Sequence, residues 1–136
     1  MAGSVKFEID YKVPPEKIWR TLTDSDLLAQ WLMPNNFRAE LGAEFQFRAK
    51  PMGGWDGVAH CKVLEIDPPK TLVYSWGSNM IQTVVTFRLE PRAGGTRLYF
   101  EQTGFEGMNG AMAKFFMGGG WKSKLRTVVP QLAEAA

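Results

Sequence analysis

Hydrophobic and polar residues alternate at the start of the chain and then change to a helical spacing. The segment "VKFEIDYKV" alternates apolar and polar side chains from Val5 to Val13, which predicts a half-buried strand. Pro14 and Pro15 end this strand. The following segments, "PEKIWRTLTD" and "DLLAQWL", place apolar residues on one helical face and predict two short helices, the second capped by Asp24 or Ser25.

The middle of the chain returns to a period of two residues, interrupted by glycine and proline turn signals. Short alternating segments joined by turns predict an antiparallel meander. Together with the first strand this gives seven strands, and the six further ones are Phe37–Leu41, Glu44–Ala49, Gly57–Ile66, Thr71–Trp76, Thr83–Glu90 and Thr96–Thr103.

The last segment has a helical period that three glycines interrupt, in "MAKFFMGGGWKSKLRTVV". At 100° per residue, one apolar stripe contains Met117, Trp121, Leu125, Val128, Val129 and Leu132. Nearly the opposite side carries Met112, Phe115 and Phe116. Glycine costs about 1 kcal/mol relative to alanine inside a helix, so the run predicts a change of phase rather than a straight helix. We therefore expect a hinge at Gly118, Gly119 and Gly120 that can also gate the space under the helix, and a kink near Pro130.

Composition limits the classes of function that need to be considered. The chain has 136 residues, of which 45% are hydrophobic and 22% are charged, which predicts one globular domain spanning residues 1–136. The predicted order of strands and helices makes this domain α+β. Its net charge of +2 is spread along the chain, so we expect no nucleic-acid partner. A single cysteine, Cys61, and the lack of a long apolar run predict a cytoplasmic protein without a disulfide or a membrane span.

Four motifs resemble one known family in their order and spacing. They are "VPPEKIWRTLTDSDLLAQWLMP", "VLEIDPPKTLVYSW", "VTFRLEPRAGGTRLYFEQTGF" and the Gly120–Trp121 pair. The chain is similar to proteins related to the activator of the ninety-kilodalton heat-shock protein's ATPase, within the START and birch-pollen-allergen superfamily (SRPBCC). The resemblance implies a helix-grip fold, in which a curved seven-stranded antiparallel sheet wraps around a long C-terminal helix, with two short helices after strand 1. It also implies a cavity between sheet and helix that takes an apolar small molecule.

The residues offer little material for catalysis, metal binding or nucleotide binding. His60 is the only histidine, and neither Asp56 nor Cys61 can reach it within the same strand. We expect no metal, because one histidine and one cysteine without a carboxylate cluster do not make a conventional site. We expect no cofactor, because "GGGWKS" lacks the Gly-Lys-Ser order of a phosphate-binding loop.

The aromatic residues give the strongest functional signal. Their number exceeds what one layer of helix on sheet usually needs, and rings with a few polar groups are typical of a small-molecule site. We predict that the site residues are Trp31, Phe47, Tyr74, Trp76, Phe115 and Trp121, with His60 and Glu101 as polar contacts.

The leading hypothesis is therefore the binding of an apolar or aromatic small molecule between the C-terminal helix and the sheet. One alternative is an interaction module that activates a chaperone ATPase. Another is a cyclase- or hydrolase-like enzyme that uses His60 or a carboxylate in the same cavity. The sequence leaves the oligomeric state open, and a homodimer is one alternative.

Overall fold

Six antiparallel strands form one sheet in the order β1-β6-β5-β4-β3-β2. The computed structural model describes residues 3–135, apart from the side chains of Met108, Met112, Phe115 and Phe116. The strands are β1 (Gly3–Tyr11), β2 (Glu44–Arg48), β3 (Val58–Asp67), β4 (Thr71–Gly77), β5 (Gln82–Arg92) and β6 (Gly95–Phe105). The helices are α1 (Pro15–Thr23), α2 (Ser25–Trp31), α3 (Gly107–Ser123) and α4 (Val129–Ala135), with a π-helical segment (Lys124–Val128) between the last two.

The prediction of a seventh strand at Phe37–Leu41 is wrong. The backbone N–H of Phe37 donates to the side-chain oxygen of Asn35 at 3.0 Å, and the N–H of Ala43 donates to the carbonyl of Glu40 at 3.1 Å in a turn. These local hydrogen bonds replace a strand ladder. Phe37 still reaches the core, where its ring meets the ring of Phe45 edge-on at 4.9 Å. The apolar character of this segment therefore indicated the burial of Phe37 correctly, but not the backbone conformation or the exposure of Leu41.

The two short helices form as predicted, and the structure settles which residue caps the second. The Oδ1 atom of Asp24 accepts hydrogen bonds from the backbone N–H groups of Asp26 at 3.0 Å and Leu27 at 3.1 Å. A carboxylate in this position accepts hydrogen bonds from N–H groups that have no partner within the helix. Its negative charge also interacts favourably with the positive end of the helix dipole. Asp24 is therefore the cap, and Ser25 is the first residue of α2.

The expected break at the three glycines does not occur, because α3 continues through Gly118, Gly119 and Gly120 to Ser123. The irregular turn follows later, in the π-helical segment, where the N–H of Val129 donates to the carbonyl of Lys124. Pro130 explains this position, since its ring cannot fit against the carbonyl four residues earlier in a regular helix. The four buried positions Trp121, Leu125, Val129 and Ala133 are spaced four residues apart, and the wider turn keeps them on one side.

Tyr11 completes the hydrogen bonding of the irregular turn. In a π-helical turn each N–H donates to the carbonyl five residues earlier, so the carbonyl of Leu125 would need the N–H of residue 130. Pro130 has no N–H, and this carbonyl therefore has no donor within the helix. The hydroxyl of Tyr11 donates to that carbonyl at 2.7 Å. Burial raises the pKa of Tyr11 well above its usual value, so the hydroxyl keeps its proton. This bond attaches the C-terminal helical region to the end of β1.

Alternating residues of the strands face the helices and form an aromatic core. In β4 the inward residues are Leu72, Tyr74 and Trp76, and each is at most 3% exposed. In β2 the inward residues are Phe45 and Phe47, and both are buried as well. Among residues 3–135, no helix has both the length and the apolar character needed to cross a membrane.

Candidate functional site

Five of the predicted site residues come together beneath the C-terminal helix. They are Trp31, Phe47, Tyr74, Trp76 and Trp121, and all are buried. The ring of Trp76 stacks on Phe47 at 5.0 Å and meets the ring of Trp121 edge-on at 5.5 Å. Trp31 lies 6.1 Å from Trp121. Trp121 therefore connects the helix to the aromatic side chains of α2 and the sheet.

A chain of hydrogen bonds crosses this aromatic interior. The Nε1–H of Trp121 donates to the Oε1 atom of Gln102 at 2.8 Å. The Nε2–H of Gln102 donates to the hydroxyl of Thr83 at 2.9 Å, and that hydroxyl donates to the carbonyl of Trp76 at 3.0 Å. Gln102 is completely buried, so these bonds compensate for the removal of its amide from water.

The aromatic interior carries no ionised group among the described side chains. The buried polar residues are Thr21, Thr83, Thr96 and Gln102. Burial raises the pKa of the Cys61 thiol to about 12, and burial also raises the pKa of Tyr74, with Cys61 as a smaller cause. Both groups are therefore neutral at physiological pH. The described interior can stack rings and form neutral hydrogen bonds, but it offers no charged acid or base for proton transfer.

His60 and Glu101 lie on the outer face of the sheet, contrary to their predicted position. Cys61, the neighbour of His60, faces inward opposite Trp76, so His60 faces out and its Nδ1 atom lies 3.2 Å from Nε2 of Gln46. Glu101 pairs with Lys6 at 3.0 Å between Oε2 and Nζ. Neither residue can therefore contact a molecule bound under the helix. Phe115 is the remaining predicted residue, and its side chain lies outside the described part of the structure.

Two shallow depressions lie on the outer face. One, of about 520 Å³, includes Lys6, Arg88, Tyr99 and Glu101 in its lining. The other, of about 550 Å³, includes Gln46, His60, Lys62 and Ser75. Both are open to solvent. Across residues 3–135, no group of three or more His, Cys, Asp or Glu side chains could hold a metal ion.

The helix that covers the aromatic interior is intrinsically weak in its first part. Helix α3 contains five glycines in 17 residues and has no side-chain hydrogen bond at its N-cap, Glu106. A Cβ added at Gly119 or Gly120 would meet no atom within 4 Å, so packing does not require glycine there. Each internal glycine lowers helix stability by about 1 kcal/mol. Opening of this segment is therefore easier than in an ordinary helix of the same length.

Gln102 and Thr83 are the site residues that the sequence prediction missed. Both lie at inward positions of their strands, because Gln102 shares a face with Phe100 and Thr83 shares a face with Val85. A polar residue at an inward position of an alternating strand is the signal that identifies them.

Comparison with known proteins places this fold in a defined family. The sequence pattern of the family described as "Activator of Hsp90 ATPase homolog 1-like protein" matches residues 12–132. The crystal structure of protein MLL2253 from Mesorhizobium loti is 34% identical, with a TM-score of 0.87 over 98% of each chain. The solution structure of BH1534 from Bacillus halodurans is 25% identical, with a TM-score of 0.79 over 96% of each chain.

A third structure has the same fold at lower identity. The solution structure of the Aha1 dimer from Colwellia psychrerythraea is 24% identical, with a TM-score of 0.79 over 96% of each chain. A search of curated proteins finds no match. The family pattern spans most of the chain, and one of these structures is more than 30% identical over nearly its whole length. The chain therefore belongs to the family of proteins that resemble the activator of Hsp90 ATPase homolog 1.

Proposed function

We propose that the protein binds a neutral aromatic small molecule between the C-terminal helix and the inner face of the sheet. The observation that carries this proposal is the buried amide of Gln102, hydrogen-bonded to Trp121 among aromatic rings. A core that only had to be stable could use apolar side chains of similar shape at these positions, often at no cost. A polar group kept in such surroundings is typical of a ligand site.

The chemistry of the interior defines the class of ligand. An amide side chain has two N–H donors and an oxygen with two lone pairs. Trp121 uses one lone pair of Gln102, and Thr83 uses one N–H, so one donor and one lone pair remain for a ligand. The uncharged surroundings favour a neutral molecule, and the rings favour a planar one. A phenol or an aromatic ketone meets all of these requirements.

Entry of the ligand requires movement of the first part of α3. The described rings already contact one another, so a molecule can reach Gln102 only when the cover opens. The five glycines make α3 the segment of least helical stability over the interior. Trp121 lies two residues before the end of α3 and joins Gln102 to the helix, so opening toward Gly107 leaves the polar end of the site in place.

Isothermal titration calorimetry with 2-naphthol and naphthalene tests this proposal. The two molecules have nearly the same shape, but only 2-naphthol has a hydroxyl for Gln102. We expect binding of both and tighter binding of 2-naphthol, with the difference lost in Gln102→Leu. If neither molecule binds up to its solubility limit, the proposal is wrong. Equal affinities would contradict the role of Gln102.

Substitution of Gly118, Gly119 and Gly120 by alanine tests the route of entry. We expect the triple variant to be more stable by about 1 kcal/mol per site, or less at Gly118, where the new Cβ would lie 3.4 Å from Cγ2 of Val5. The more stable helix should slow the association of 2-naphthol in stopped-flow fluorescence. A variant that gains stability but keeps the association rate would exclude α3 as the entrance.

Activation of a chaperone ATPase is a second candidate, supported by the family and by a basic helix surface. No acidic residue occurs between Gly107 and Ala133, and Lys114, Lys122 and Arg126 in this stretch are exposed. Such a surface favours an acidic protein partner. The direct measurement is ATP hydrolysis by the ninety-kilodalton chaperone, and no stimulation at high protein excess would exclude this role. The cyclase- or hydrolase-like alternative has no support from His60, its main candidate for a catalytic residue, because His60 lies on the outer face of the sheet.

A further inference from the structure

The two edges of the sheet differ in how their backbone groups are satisfied. At the β2 edge, residues 34–36 cover the strand. The N–H of Arg48 donates to the carbonyl of Pro34 at 3.0 Å, and the N–H of Gln46 donates to the Oδ1 atom of Asn36 at 2.7 Å. At the other edge, β1 pairs only with β6, and within residues 3–135 no other backbone segment pairs with it. An uncovered strand of nine residues is a ready template for pairing with another strand.

We propose that β1 pairs antiparallel with β1 of a second copy of this chain, about a two-fold axis at Phe7. Face matching restricts the registers to consider, because residues directly opposite each other in a sheet point to the same face. If one strand were displaced along the other by an odd number of residues, the inward side chain of Phe7 would lie opposite an outward side chain. Only registers that keep the inner and outer faces in line are therefore allowed.

Charge and length both select one of these registers. With Phe7 on the axis, the whole of Gly3–Tyr11 is paired, and Lys6 of each copy lies opposite Glu8 of the other. Moving the axis to Lys6 would place two lysines opposite each other, and moving it to Glu8 would do the same with two glutamates. Opposite charges in directly facing positions stabilise a strand pair, and like charges destabilise it.

The surrounding side chains fit this register. On the outer face, Nζ of Lys6 lies 3.0 Å from Oε2 of Glu101, and Nη1 of Arg97 lies 3.9 Å from Oε2 of Glu8. Pairing would extend these contacts into a row of alternating charge across the axis. On the inner face, Val5 and Phe7 are only partly buried, and strand pairing would cover them further.

The helices leave room for such a dimer. Helix α3 contacts both β1 and β6, so it lies over the last two strands at this edge of the sheet. If the α3 axis lies midway between β1 and β6, a spacing of about 4.8 Å between paired strands puts the two α3 axes roughly 10 Å apart, close to the usual spacing of packed helices.

Two single charge reversals test the register. Lys6→Glu places acidic groups opposite each other, and Glu8→Lys places basic groups opposite each other, so each variant alone should be monomeric by size-exclusion chromatography with light scattering. In a mixture of the two, every facing pair is of opposite charge, so the mixture should form a heterodimer. Lys62→Glu and Glu65→Lys on β3 are matched controls, because both residues are exposed and far from the β1 edge, and they should stay dimeric.

The outcomes separate the proposal from its rivals. A wild-type protein that is monomeric at several hundred micromolar overturns it. Variants that each stay dimeric place the interface elsewhere, and a mixture that stays monomeric excludes this register. Circular dichroism checks that the variants fold. Hydrogen exchange of the wild type provides a second measurement without substitutions, since the β1 amides that point away from β6 should become protected as protein concentration rises.

Discussion

Replacing Trp121 by alanine is expected to lower the free energy of unfolding by about 3–5 kcal/mol, the range found when a large buried aromatic side chain is removed. Trp121 is 3% exposed, and its ring lies 4.9 Å from Phe100 and 5.5 Å from Trp76. Its loss leaves a cavity among rigid rings that cannot easily collapse. It also removes the donor to Gln102, whose oxygen then has no partner from the helix. Urea unfolding at fixed protein concentration measures the difference.

Two further measurements separate the ring from its hydrogen bond. Trp121→Phe keeps most of the aromatic volume but removes the N–H, so it should cost about 1–3 kcal/mol, the effect of leaving one buried acceptor unpaired. Indole should raise the melting temperature of Trp121→Ala by more than that of the wild type, because the cavity left by the missing ring gives the variant an additional place to bind it. A loss below about 1 kcal/mol in Trp121→Ala would mean that the helix is not anchored by this ring.

The aromatic half of the site could be predicted from sequence because it depends only on alternation within single strands. Tyr74 and Trp76 share a face with Leu72, and burial of that face follows from the hydrophobic effect whatever the neighbouring strand is. By the same rule, Glu101 and its neighbour Phe100 point to different faces of β6, so Glu101 lies on the outer face. Strict use of the rule would have removed Glu101 from the predicted site. That error came from the use of the rule and not from missing information.

His60 is a different case, because alternation alone does not say which face of β3 points inward. His60 and Cys61 are adjacent, and either could face the core. The pairing of Cys61 with Trp76 decides this, together with an irregularity between Val63 and Glu65 that shifts the later part of the strand. Pairing between distant segments and bulges depends on the whole sheet, so one sequence without related sequences does not define them.

The C-terminal helix shows how two local signals can be assigned in the wrong order. Both the glycine run and Pro130 are known to disturb helices, and the glycines were expected to do so. Glycine only lowers the stability of a helix, however, whereas proline removes a donor and clashes with an earlier carbonyl. The structure accordingly keeps a regular helix through Gly118–Gly120 and widens the turn before Pro130. The hydroxyl of Tyr11, more than 100 residues away, then satisfies the free carbonyl of Leu125.

Gly95→Ala is expected to destabilise the protein by about 3 kcal/mol or more, a size that requires a specific steric cause. A Cβ at Gly95 would lie 1.8 Å from the carbonyl oxygen of Tyr11, so the backbone of β1 or β6 must move. Neither can move freely, because Thr96 donates to the carbonyl of Val13 at 2.7 Å and Tyr11 is bonded to the C-terminal helical region.

Gly94→Ala is the matched control for this prediction, one residue earlier in the same turn. Gly94 has a φ of +77°, and a Cβ there meets no atom within 4 Å. Its replacement should lower the free energy of unfolding by only about 1–2 kcal/mol, which is the cost of placing an L-residue in the left-handed region. Urea unfolding of both variants, under the same conditions, gives the comparison. Equal losses would mean that the end of β1 can shift away from β6 without breaking the contact between Tyr11 and the helix, and the close approach at Gly95 would then not be a constraint on the fold.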